Sequence, residues 1–418
     1  VGGGLALLGL RGVAAAVCAG VPALLLSAVV VAYPEPWYPG VGVAVLTAVL
    51  ASVSLGGGRR CGWLPWVGLA ATVGLWLGWG DRLARAVSGQ GETTWYLPLL
   101  GAFVGLHLAA ALRRARRGPP GRPEVLGALL PAVTVGWAFP AAAVQAAGSP
   151  WLGAVGLGGA GGLLLLAGLV GRRGPQGGWG VGAFAFGGAL LGAAALTKGL
   201  ALGAAAVPLL SAAALGLGVL SRRWESGGTR VASYVLQIGA AVWAAVSGAV
   251  AVGGAVAGPA AAAGGGALLA WGHYRWCRSS PPSAGSWFFT RVDRTDDGAV
   301  VLLLSCLVLA FAALRVLVFP WVAAVFLDVG GAFQGAQSVI LHLSAVALVV
   351  GALRRRSAEL RAVGLLVTGI AGAKAFLYDL LAVRGVPLVV SVLVFGACAG
   401  VIAMLLRRWP SRGEDPGD

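Results

Sequence analysis

From Val125 to Gly171 the chain runs for 47 residues without an Asp, Glu, Lys or Arg. As one helix this run would extend about 70 Å, more than twice the roughly 30 Å hydrocarbon layer of a bilayer. The chain must turn back within it. Gly148-Ser149-Pro150 supplies the break, because Pro removes a backbone donor and Gly permits a turn, with Trp151 suited to the interface beyond. A second uncharged run, between Arg230 and Arg275, is interrupted at Gly253-Gly254 and Gly258-Pro259. Each run encodes two crossings. Only 11% of the residues are charged and mean hydropathy is +0.88. A soluble domain carries about 25% charged residues, so this composition excludes a water-facing fold and a disordered one alike.

The fold class expected is all-α, a polytopic membrane helix bundle. Applied along the whole chain, the same reading predicts fourteen transmembrane helices. They are centred near 12–32, 41–57, 62–79, 95–112, 125–147, 151–170, 179–196, 199–220, 231–252, 256–272, 299–319, 332–352, 362–382 and 386–406. The hairpins around Thr197-Lys198 and Gly253 are tight enough to be re-entrant instead. Residues 1–418 read as a single transmembrane domain, and the first span as retained, since no small-residue cleavage site follows it. The longest loop, 272–298, carries Trp287-Phe288-Phe289 as an interfacial foot and is too short to bury a core of its own.

Basic residues orient the bundle, because cytoplasmic loops hold an excess of Lys and Arg. With the N-terminus inside, 24 of the 30 basic residues fall on the cytoplasmic side. Arg82, Arg85, Lys198 and Arg384 fall outside, and Arg315 and Lys374 lie within spans. Both termini are therefore expected in the cytoplasm. The net charge of +16 is then a topology signal meeting anionic lipid headgroups, and no nucleic-acid partner is expected.

Motifs for cofactors and catalysis do not emerge. Cys18, Cys61, Cys277, Cys306 and Cys398 form no C-x-x-C pair, and His107, His273 and His342 share no ligand spacing, so no metal or disulfide is expected. His342 lies near mid-span and reads as a helix-packing hydrogen bonder or a proton relay. Gly156, Gly158 and Gly161 match G-x-G-x-x-G, but among 70 glycines chance supplies that spacing, and small residues serve close helix packing. No cofactor and no catalytic residue is expected.

The scarce charges inside spans carry the functional expectation. Lys374 and Asp379 lie in the thirteenth span, and Arg315 near the exit of the eleventh. Asp328 belongs to a segment, Pro320 to Phe333, that reads as an interfacial helix. A Lys, Arg or Asp at the centre of a span costs about 2.5–3.5 kcal/mol, so it faces a partner or a wet cavity. On a regular α-helix, residues five apart diverge by about 140°, which makes Lys374 and Asp379 poor partners for each other. The expected partners are Asp328 for Lys374, and Arg315 or Arg384 for Asp379. Together they outline an outward polar site between spans eleven and thirteen, with Asp81, Arg82, Arg85 and Glu92 as its rim. The competing reading has Lys374 snorkelling to the headgroups and Asp379 resting in the interface beside Arg384.

The residues Arg361, Gly364-Leu365, then Lys374-Ala-Phe376-Leu377-Tyr-Asp379-Leu380, Arg384, and a last span opening near Ser391 form a pattern over 359–408. It resembles the C-terminal helix pair of a large bacterial family of predicted multi-helix membrane proteins of unknown function. The resemblance implies a bacterial membrane bundle in which Lys374 and Asp379 are meaningful positions, and it implies no activity.

Three functions fit these observations. The first is a transporter or lipid flippase acting in envelope biogenesis. The second is a structural or assembly subunit whose charges lock helices and dock a protein partner. The third is an outer-leaflet sugar or acyl transferase with Asp379 or Asp328 as base.

Overall fold

The computed structural model describes residues 179–407 except 249, 254, 255, 284 and 285, helices at 64–78, 96–115 and 150–173, and positions 49, 126 and 129. Among the described residues there are helices and turns and no strand. In chain order the helices are α1 (Leu64–Gly78), α2 (Tyr96–Ala115), α3 (Pro150–Arg173), α4 (Trp179–Ala194), α5 (Ala206–Arg223) and α6 (Gly227–Val246). They continue with α7 (Ala257–Ser279), α8 (Trp287–Arg291), α9 (Val300–Val325), α10 (Val329–Arg355), α11 (Ala358–Lys374) and α12 (Val386–Arg407).

Seven helical segments among the described residues are long and apolar enough to cross a membrane. They are Gly180–Thr197, Gly203–Arg223, Gly227–Val246, Asp297–Val325, Val329–Arg355, Ala358–Asp379 and Val386–Arg407. The chain is a helical, multi-pass membrane protein. Four further expected spans, the third, fourth, sixth and tenth, coincide with α1, α2, α3 and α7, which are shorter or less apolar than these seven. The first expected span lies outside the described residues, as do the second and fifth except for positions 49, 126 and 129.

Two boundaries differ from the sequence reading. The segment after the eleventh span is no separate interfacial helix: α9 continues through Pro320 to Val325, and α10 begins at Val329. Proline so close to a helix end costs few backbone bonds, and Asp328 starts the next helix by accepting the Gly331 N–H at 3.1 Å. The long loop also begins later than 272, because α7 runs on to Ser279.

The chain divides into two compact units. One holds the residues to Leu202 with Ala212–Leu236 and Trp276–Asp297; the other holds Gly203–Ser211, Gln237–Arg275 and the residues from Gly298. In the first unit α3 and α4 pack through small residues. A Cβ on Gly156 would sit 2.8 Å from the Ala195 Cβ, and one on Gly188 would sit 3.2 Å from the Ala160 carbonyl oxygen. The G-x-G-x-x-G glycines thus lie inside a helix, and Gly156 serves packing. In the same unit His107 Nε2 lies 3.2 Å from Thr72 Oγ1, which joins α1 to α2.

Backbones approach closely in this unit at Gly182 and Gly228, where a Cβ on either would fall within 2.8 Å of the other's Cα. Gly228→Ala is expected to cost about 1–3 kcal/mol, since neither backbone can yield as a flexible side chain would. Thermal melting in detergent checks this, with Gly239→Ala, which meets nothing within 4 Å, as the control that keeps its melting temperature.

In the second unit α10 is the hub, packing against α9, α11 and α12. Gly364 lets α11 approach Val349 of α10, where an added Cβ would lie 2.9 Å from Val349 Cγ2. Gly335 does the same for the Pro387 carbonyl at the start of α12, at 3.1 Å. The turn between α10 and α11 follows from its residues. Arg354 and Arg355 meet the carbonyl end of α10, Arg356 takes the left-handed conformation at φ 50°, and Ser357 caps α11 by accepting the Leu360 N–H.

Candidate functional site

The site forms where α11 stops being an α-helix. Ala375–Asp379 make a π-helical turn, with the Leu380 N–H bonded to the Ala375 carbonyl five residues back. The wider turn brings positions i and i+5 toward one face. Lys374 and Asp379 stand in that relation, and their charges meet: Lys374 Nζ lies 2.7 Å from Asp379 Oδ1. The expectation that they diverge by about 140° is overturned, because it assumed α-helical pitch through this segment.

The pair is closed by a polar network. Lys374 Nζ also donates to the Gln334 carbonyl at 3.1 Å and to Ser338 Oγ at 2.6 Å. Asp379 Oδ2 accepts from the Ser338 hydroxyl and from the Ser391 hydroxyl, the latter at 2.7 Å. Asp379 is fully buried, while the Lys374 side chain keeps 18% of its exposure. Three helices supply the groups: α11 with its π-turn carries the charges, α10 gives Gln334 and Ser338, and α12 gives Ser391.

Gln334, Ser338 and His342 are spaced four apart, so they form one polar stripe along α10. That spacing is the signal by which the sequence could have named α10 as the partner of Lys374. His342 Nδ1 faces the Ser338 carbonyl. A carbonyl only accepts, so Nδ1 carries the proton and Nε2 is left as a buried acceptor with no hydrogen-bond partner. The His342 ring stands edge-on to Phe395 at 5.3 Å between centroids, and Phe395 stands edge-on to Phe376 at 5.1 Å.

The other residues expected at the site are placed differently. Asp328 does not pair with Lys374: it caps α10 and is exposed. Arg384 is exposed in the turn before α12 and is no partner of Asp379. Arg315 is no partner of Asp379 either. Its Cζ lies 5.9 Å from the Phe311 ring centroid and 5.8 Å from that of Phe333. Asp81, Arg82, Arg85 and Glu92 lie outside the described residues.

A second buried ion pair, in the other unit, was read from sequence only as a topology charge. Arg230, 1% exposed, pairs with Asp296 and donates to the Tyr234 hydroxyl at 2.9 Å, the Ser280 carbonyl at 2.8 Å and the Cys277 carbonyl at 2.9 Å. Tyr234 donates to Asp296 Oδ1 at 2.7 Å. The rings of Trp276 and Phe289 lie 5.8 and 5.9 Å from the guanidinium carbon. Phe289 is therefore buried over Arg230, where an interfacial foot had been expected. Burial pushes the Asp296 carboxyl up, and the Tyr234 and Arg230 donors pull against that rise. All three guanidinium nitrogens of Arg230 are engaged, so it fastens the 276–297 segment.

Among the described residues no group of three or more His, Cys, Asp or Glu could hold a metal ion. Comparison with protein families, with curated proteins and with solved structures finds no match to this chain. The chemistry of the site therefore speaks for itself. The ion pair is an electrostatic latch between α11 and its own π-turn, tied through Ser338 and Ser391 to two neighbouring helices.

Proposed function

We propose that this chain is a transporter or lipid flippase of the bacterial inner membrane, acting in envelope biogenesis, with fourteen spans and both termini in the cytoplasm. The distribution of Lys and Arg supports the orientation, and it directs the Asp379 end of the thirteenth span outward. The observation that carries the functional reading is the Lys374–Asp379 pair, buried on a π-turn of a membrane-capable helix. Intramembrane charges gather along substrate and ion paths, and single π-turns mark functional positions. A substrate with a charge of its own competes for one partner, opens the pair and frees α11 to shift against α10. Cytoplasmic basic loops rest on anionic headgroups.

Reconstitution tests this. Vesicles carrying the purified chain are given a fluorescent phospholipid in one arm, a labelled sugar and a labelled ion in others. Wild type is expected to move one of them and Lys374→Met to move it at least ten times more slowly. No movement of any in wild type, with cells unaffected by Lys374→Met, would sink the reading.

One observation favours an assembly subunit instead: both oxygens of Asp379 are engaged, as a static lock requires. In α12, beside it, only 17% of the apolar window is buried, so the helix leaves a wide face for lipid or a partner. A stoichiometric protein that co-purifies with wild type, and is lost in Lys374→Met, would favour this second reading.

A further inference from the structure

Among the described residues Arg315, half-buried in α9, has no acidic partner. It sits in α9 ten residues before Val325, which at 1.5 Å per residue is about 15 Å along the helix axis. Its Nε is buried without a hydrogen-bond partner. No carboxylate among the described residues pairs with it: Asp379 is taken up by Lys374, Ser338 and Ser391, and Asp328 by the Gly331 N–H. Elsewhere the sequence offers no acidic residue in any expected span. Phe311 and Phe333 bracket the guanidinium, and Phe333 is itself buried and set edge-on to Phe319 at 5.1 Å.

Two aromatic faces orient a guanidinium without neutralising it. A charge at this depth in an apolar layer needs a counter-ion, and the fork of an Arg suits two oxygens of one phosphate. The neighbouring pair cannot supply it, because Lys374 and Asp379 cancel. With Arg315 the three groups carry a net single positive charge. Phe333, under the guanidinium, and Gln334, whose carbonyl receives Lys374, are consecutive residues of α10. Arg315 and the latch are therefore connected through adjacent residues of one helix.

We propose that Arg315, framed by Phe311 and Phe333, binds the phosphate of the substrate, a phosphate monoester or diester anion. This rests on the transport reading and names its substrate class. The phosphate arrives as part of a molecule drawn in beside α10. Lys374 then meets a second anion for its ammonium and can leave Asp379.

The full-length chain in nanodiscs of zwitterionic lipid provides the test, with binding followed by native mass spectrometry and tryptophan fluorescence. One arm titrates short-chain phosphatidylglycerol, the other inorganic phosphate. Saturable binding is expected in at least one arm: the first identifies a lipid headgroup, the second a water-soluble phosphate. Arg315→Gln is expected to weaken it at least tenfold, Arg315→Lys to a lesser degree, and Arg354→Gln, which removes an exposed charge at the far end of α10, to leave it unchanged. Without probe, Arg315→Gln should melt higher than wild type, because it removes an uncompensated charge. Phe333→Leu, which keeps the charge, should also weaken binding, and it serves if Arg315→Gln fails to fold. Wild type that binds neither probe, or Arg315→Gln that binds as wild type does, overturns the proposal. Binding that depends on Arg315 in a chain that transports nothing leaves this site standing and removes the transport reading.

Discussion

Asp379→Ala leaves the Lys374 ammonium without a counter-ion, held by Ser338, a backbone carbonyl and the Tyr378 ring, and is expected to cost about 3–5 kcal/mol of stability. Breaking one half of a buried pair costs more than removing both, because the survivor stays charged and unpaired. The double variant Lys374→Met, Asp379→Leu should therefore recover most of the loss. Melting of the four proteins in one detergent measures this as a cycle. A double variant as unstable as the sum of the singles would show that the two residues act separately, contrary to the 2.7 Å contact.

Arg230→Met is the second large effect, again about 3–5 kcal/mol, and it comes from the other unit. The change strips Asp296 of its cation and leaves the carbonyls of Ser280 and Cys277 without their donor. Asp296 is already pushed up by burial, so it then takes a proton in place of the lost charge. Tyr234→Phe, which removes one hydroxyl bond to the same carboxylate, should cost about 1–3 kcal/mol. Limited proteolysis reads the consequence directly: cleavage between 276 and 297 should rise in Arg230→Met and scarcely change in Lys374→Met. Equal cleavage in both would deny that Arg230 is the fastening of this segment.

Much of the fold was legible because the signals are local. An uncharged run has to be helical in lipid, where every backbone group needs an internal partner, and its length sets the crossings. The capping role of Asp328 was missed, because its charge was read as a partner for Lys374. The pairing at the site was not legible, since it turns on a π-helical pitch that nothing in Ala375-Phe-Leu-Tyr-Asp379 announces. Taken at α-helical pitch, the spacing pointed Lys374 and Asp379 apart and sent each to a wrong partner. The four-residue rhythm of Gln334, Ser338 and His342 was in plain view and would have identified the helix that receives Lys374. Arg230 was hidden for another reason. Its partner Asp296 is 66 residues away, and no local pattern joins a basic residue at a helix start to a carboxylate across a loop.

The central claim, that the Lys374–Asp379 pair works on a substrate and does more than hold helices together, meets its most direct test in cells. A deletion strain is complemented with wild type or with the charge-free Lys374→Met, Asp379→Leu double variant, each brought to equal membrane abundance, and the envelope lipids and glycans are compared. The double variant is expected to accumulate and insert like wild type yet to leave the deletion profile uncorrected. A double variant that restores the wild-type profile would contradict the claim and assign the pair to structure.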